Sequence, residues 1–237
     1  MAAAQQAGGV SIGLDSPYTE IPDDTGLIQV QMGKKIYQVA DQTDSMQVYQ
    51  QQSNAKNCLL VISKQEFRLY VYECKDNDTL LVAHYPICYA RNPGNKQRVG
   101  DMKTPESYPG KPFTISQIQP ASSWKHDFKD GRGSLPSYGA WFLRLVTPGH
   151  SGIGIHGSTN NEASVPGRDS EGCIRLRDAD IVHLKNHYAH IGMPVIIKSV
   201  KEGKLPFEQK AEKALGEQYV EPRKGYTLAK GVKIVSK

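Results

Sequence analysis

The chain has 237 residues, 38% of them hydrophobic, with 22 glycines and 14 prolines. That length supports one substantial core with small additions, and no apolar run approaches the roughly 20 residues needed to cross a bilayer, so a soluble chain without a membrane span is expected. The net charge of +5 comes from scattered Lys and Arg, a pattern that argues weakly for anionic ligands and gives no stripe for nucleic acid.

The opening MAAAQQAGGVSIGLDSP has no basic start followed by a long apolar stretch, so an export signal is expected to be absent or already removed. Residues 1–56 read as a polar, Gln-rich N-terminal extension, with IQVQ and KIYQV as strands around a turn at Gly33. From Asn57 the apolar pattern has a period near two. CLLVIS at Cys58 to Ser63 is one strand. FRLYVYE follows, with Phe67, Leu69 and Val71 facing one way and Arg68, Tyr70 and Tyr72 the other, which predicts a half-buried strand. After the polar turn KDNDT, LLVAHYPICYA at Leu80 to Ala90 completes a β-meander. Further strands are expected in PFTISQI from Pro112, GAWFLRLV from Gly139, GIGIHG from Gly152, CIRL from Cys173 and PVIIKS from Pro194.

DADIVHLKNHYAHIG is the convincing helix: Asp178 is its capping candidate, Ile181, Leu184, Tyr188 and Ile191 share a face, and Gly192 stops it. His183 and His187 are assigned to its exposed side. A second helix from Pro206 and a weakly strand-like tail after Glu221 form a small α/β C-terminal appendage, residues 200–237. The fold class is therefore mostly β, with residues 57–199 as the main domain.

Cys58, Cys74, Cys88 and Cys173 form no CxxC pair and no Cys/His cluster at ligand spacing, so neither a metal site nor a cofactor is expected. Cys58, Cys74 and Cys88 read as small buried hydrophobes, with one disulfide among them left open. Trp124 sits in a long polar loop suited to a lid, Trp141 reads as core, and Tyr108 and Tyr138 join the tryptophans as candidate groove aromatics. Arg168, Asp169 and His150 read as solvated loop residues.

The most informative segment is IHGSTNNEASVPGRDSEGCIRL, Ile155 to Leu176. It places His156 before Gly157 and Cys173 after Gly172, where the backbone can turn and expose a side chain. Thiolate attack on a carbonyl, with an imidazole taking and returning the proton, is the chemistry such a pair performs. The N–H groups of Gly172 and Cys173 are candidates for an oxyanion hole. Taken alone, a histidine that caps a strand and a buried core cysteine are the better explanation of the pair.

The surrounding words resemble a known family. IHGS, then SEGCIRL, then an Asp-led helix and PVIIK look like the L,D-transpeptidase catalytic domain of the YkuD type, whose hallmark is HG followed by S-x-G-C-x-R. RNPGNKQRVGDMKTPESYPGKPFTI from Arg91 resembles its glycine-bearing strand exit, TP element and F-x-I strand. The resemblance implies packed, partly barrel-like β-sheets acting on the stem peptides of bacterial peptidoglycan, in the periplasm or cell envelope. It implies Cys173 as nucleophile, His156 as general base, the Gly157 carbonyl as its orienting group and Ser170 as a hydroxyl beside the site. Arg175 matches the family arginine, with two readings open: binding a substrate carboxylate, or pairing with a neighbouring aspartate.

One position departs from the family. Many members have SHGC, whereas Glu171 stands here before the glycine. A carboxylate there can hold an imidazolium or a substrate amine, yet it opposes thiolate formation; a solvated turn glutamate is the plain alternative. The expected reaction is acyl transfer through a thioester with release of D-alanine, the acceptor amine coming from a second stem or an envelope protein. The alternatives are an L,D-carboxypeptidase or hydrolase using the same pair, and a non-catalytic peptidoglycan-binding module.

Overall fold

The computed structural model describes residues 27–32, 35–40, 44–52, 54–108, 110–222 and 233–234. Its strands are β1 (Ile28–Met32), β2 (Lys35–Val39), β3 (Gln47–Val48), β4 (Cys58–Ser63), β5 (Arg68–Lys75), β6 (Asp78–Pro86), β7 (Cys88–Ala90), β8 (Phe113–Pro120), β9 (Lys125–Asp127), β10 (Ser134–Pro136), β11 (Trp141–Val146), β12 (Gly154–His156), β13 (Gly167–Ser170), β14 (Ile174–Arg175), β15 (Pro194–Lys198) and β16 (Lys233–Ile234). Two α-helices are described, α1 (Asp178–His187) and α2 (Pro206–Leu215).

Fourteen strands form one sheet in the order β16-β1-β2-β13-β7-β14-β12-β11-β8-β15-β4-β5-β6-β3, and β9 and β10 form a separate hairpin. The sheet curls. Leu60 and Leu69, near one end of that order, share a core with Leu143, Ile155 and Ile174 from its middle. The mostly β, partly barrel-like architecture expected from the sequence is the one observed. Both N-terminal strands form as read, pairing antiparallel as β1 and β2; Gly33 and most of the tail after Glu221 lie outside the described residues.

The β4–β5–β6 meander is present, but β5 is buried on both faces rather than one. Leu69 and Val71 enter the main core. Tyr70 and Tyr72 enter a second cluster with Val61, Leu81, Ile196 and Ala211, because α2 covers that face. The ring of Phe207 meets Tyr72 edge-on at 5.3 Å. Lys198 and Glu208 bridge sheet and helix at 2.8 Å, each side chain 1% exposed. Pro206 opens the helix, a position that needs no N–H, and the Glu208 carboxylate accepts the Leu205 N–H at 2.7 Å.

Helix α1 lies on the core face of β11 and β12. Arg177 is its cap, and Asp178 is its first residue instead. The Asp178 carboxylate accepts from the Ser158 N–H at 2.7 Å and from the Thr159 hydroxyl, tying the helix start to the chain leaving β12. Ile181, Leu184 and Tyr188 are buried as read, whereas Ile191 follows the helix and is 67% exposed. His183 is half-buried and its Nδ1 lies 2.8 Å from the Tyr85 hydroxyl. All four cysteines are free; Cys74 is exposed, at the hairpin end of β5, while Cys58 and Cys88 are buried. Among the described residues no helix is long and apolar enough to cross a membrane.

Candidate active site

Strands β12 and β14 run parallel, with Ile155 opposite Ile174 and His156 opposite Arg175. Alternation then dictates the faces. Ile155 and Ile174 enter the core, while His156, Arg175 and Cys173, which immediately precedes β14, line a cavity of about 350 Å³ on the other face. A ladder of hydrogen bonds thus brings together two side chains that are far apart in sequence.

His156 is 4% exposed. Its Nδ1 sits 2.6 Å from the carbonyl of Gly157. A carbonyl only accepts, so Nδ1 carries the proton and Nε2 keeps the lone pair. The Phe142 ring stacks on the imidazole at 5.5 Å with an interplanar angle of 13°, and Tyr138 flanks it at 4.8 Å. Burial, aided by the charges of Arg175 and His126 and opposed by the Gly157 carbonyl, pushes its pKa down to about 3. The imidazole is therefore neutral at pH 7, as a base must be. Gly154 gives Phe142 its place: a Cβ there would lie 2.3 Å from the ring.

Cys173 is half-buried and its thiol lies 3.4 Å from the Gly152 carbonyl, to which it donates. Burial raises its pKa, and so does the charge of Glu171; the Gly154 N–H and the Arg175 and Arg144 guanidiniums act the other way. The turn before it is tight. Gly172 has φ +149°, and a Cβ would meet Ile153 Cδ1 at 3.1 Å and the Lys103 carbonyl at 3.2 Å. Ser170, 2% exposed, donates to the Cys173 carbonyl at 2.5 Å and accepts the Gly172 N–H at 3.2 Å. The Gly172 N–H is thus engaged within the turn.

Arg175 is 5% exposed and pairs with Asp169 at 3.2 Å. Of its two readings, the aspartate pairing is the one present. Asp169 is 3% exposed and also holds Arg91 at 2.8 Å. Neither it nor Arg168 is a solvated loop charge, because both lie in β13 between β2 and β7.

Glu171 is exposed and faces His126 of the β9–β10 hairpin, Nε2 to Oε1 being 3.3 Å. His126 and Phe128 line the cavity, and neither was singled out from the sequence. The only available sign was their place in the long loop read as a lid. Trp124 instead packs behind the site, on Tyr138 and Phe142, and Tyr108 stands 71% exposed outside it. The opposite wall is the 96–103 loop, where the Asp101 carboxylate accepts from the N–H groups of Gln97, Arg98 and Lys103 and from Lys96 Nζ. Among the described residues no group of three or more His, Cys, Asp or Glu is placed to hold a metal ion.

A curled β-sheet bearing a thiol and a neutral imidazole in one cavity defines a class of protein. Residues 59–197 match the model of the YkuD family, the L,D-transpeptidase catalytic domain, and the chain belongs to that family. No curated protein matches it in sequence. Among solved structures it is similar to Bd1075 of Bdellovibrio bacteriovorus, with 21% identity over 72% of this chain and 59% of that one and a TM-score of 0.44. An L,D-transpeptidase from Mycobacterium smegmatis is similar at 18% identity over 60% and 59%, TM-score 0.42. The helical cell shape determining protein Pgp2 of Campylobacter jejuni, as its K307A mutant, is similar at 17% identity over 73% and 55%, TM-score 0.47. The chain therefore spans less than two thirds of the length of each of these three.

Proposed function

We propose that this protein is a cysteine acyltransferase of the bacterial cell envelope that acts on peptidoglycan stem peptides. The observation that carries the reading is the neutral His156, its Nδ1–H held by Gly157, sharing one cavity with the Cys173 thiol. Depressed imidazole and raised thiol together favour a resting pair of neutral groups over a preformed ion pair, so proton transfer accompanies attack.

Cys173 rotates its thiol from Gly152 towards His156 Nε2, which takes the proton as sulfur bonds to the carbonyl of the diamino acid at the third stem position. The tetrahedral oxyanion is met by the Cys173 N–H, with the Gly172 N–H held by Ser170. Collapse breaks the bond to D-alanine, whose amine leaves with the proton from His156. A second stem's amine then attacks the thioester; His156 takes its proton and returns it to sulfur. Water in the amine's place gives the carboxypeptidase outcome.

The test is mass spectrometry of the protein mixed with tetrapeptide stems. A thioacyl adduct on Cys173 with free D-alanine is expected, lost in Cys173→Ala and slowed about 10²- to 10⁴-fold in His156→Ala. Cross-linked dimer marks a transferase and free tripeptide a hydrolase. Bound but unchanged stem refutes the enzymatic reading.

A further inference from the structure

Among the residues lining the cavity Glu171 is the one carboxylate; Lys96 and Arg175 are cationic and His126 and His156 are imidazoles. The two cations are answered from behind, Lys96 by Asp101 at 2.9 Å and Arg175 by Asp169 at 3.2 Å. Glu171 differs. Its side chain is 59% exposed, and the imidazole that faces it, that of His126, comes from the hairpin and is itself 27% exposed. Glu171 and His126 line the same cavity as Cys173 and His156. A cation held at Glu171 therefore stands beside the reacting groups.

An imidazole is a partner that can yield. It offers at most two donors from a rigid ring, whereas a primary ammonium is a compact charge on a flexible stem and offers three donors. We propose that Glu171 and His126 form a cation subsite, in which a primary ammonium of the acyl donor displaces the imidazole and pairs with the Glu171 carboxylate. The proposal rests on the acyl-transfer reading and names its donor class: stems whose third residue keeps a free side-chain amine. The reach is sufficient. Such an amine lies about 7 Å from its own carbonyl carbon when extended, and the two residues from Glu171 to Cys173 span at most about 7 Å of chain.

Two measurements test this. The first needs no stem peptide: Cys173 is labelled with 2-aminoethyl or 2-sulfonatoethyl methanethiosulfonate and the rates are read by peptide mass spectrometry, since Cys74 is also free and exposed. The ratio of cationic to anionic rates cancels the thiolate fraction. Glu171→Gln is expected to lower that ratio by up to about fivefold, the upper end for an exposed charge pair, and His126→Ala to raise it. A ratio unmoved by Glu171→Gln, or not raised by His126→Ala, overturns the subsite. The second compares donors with free and acetylated side-chain amine: the native protein should favour the free amine about fivefold in kcat/KM, through KM, and Glu171→Gln should erase the preference. Equal values for the two donors in the native protein also overturn it. Should neither donor be turned over, the acyl-transfer reading fails while the labelling ratio still decides the subsite.

Discussion

Gly154→Ala is the sharpest probe of how the imidazole is held. A Cβ at 154 would lie 2.3 and 2.4 Å from two atoms of the Phe142 ring and 2.8 Å from the Leu143 carbonyl. Carbon atoms pack at about 3.5–4.0 Å, so the ring must retreat by about 1 Å or more. It has little room to do so. Trp124 presses on it at 5.3 Å, Tyr138 at 6.0 Å and His156 at 5.5 Å. Overpacking of this kind costs about 1–3 kcal/mol, or roughly 2–12 °C in melting temperature at this chain length. Displacement of the stacked imidazole by about 1 Å is enough to cost on the order of 10²-fold in rate. The assay pairs thermal melts with the rate of thioacyl-adduct formation. Adding Phe142→Leu to Gly154→Ala should recover melting temperature without recovering rate, since the methyl then has space but the imidazole has lost its stack. A Gly154→Ala protein with native melting temperature and native rate would refute this account.

Acid should destabilise the protein between pH 6.5 and 3. His156 and His84 are buried with pKa values down at about 3 and about 4, so in that window the unfolded chain binds more protons than the folded one. Stability is then complete above pH 6.5 and falls with pH, by up to about 1.4 kcal/mol per pH unit for each group. Melting curves from pH 7 to 4.5 should show the fall, and His84→Gln should flatten it; a level native profile contradicts both assignments. Glu208→Gln should cost about 3–5 kcal/mol by stripping buried Lys198 of its carboxylate, and the double change Lys198→Met with Glu208→Leu should return melting to within a few degrees of native. Native melting in the single variant would show the pair to be inert.

What the sequence disclosed was whatever local words encode. HG and SEGC mark their own turns, and bounding turn residues found the strand that holds His156 and the one that leads away from Cys173. Partners that arrive from elsewhere in the chain left no such trace. Asp169 looks like a loop charge until β13 is seated between β2 and β7, and nothing in GAWFLRLV singles out Phe142 before its pairing with His156 brings the rings together. His126 is the same case, one polar residue in a loop whose hairpin is set by tertiary contact. Tyr70 and Tyr72 were misjudged for a related reason. Alternation reports which residues share a face, but not what later covers it.

That covering helix matters to anyone trimming the chain. A fragment cut to the family-matching residues 59–197 would leave Val61, Tyr70, Tyr72, Leu81 and Ile196 bare on one broad face. Such a fragment would be sticky. Its failure to stay dispersed would then reflect a missing roof and carry no information about the chemistry at Cys173.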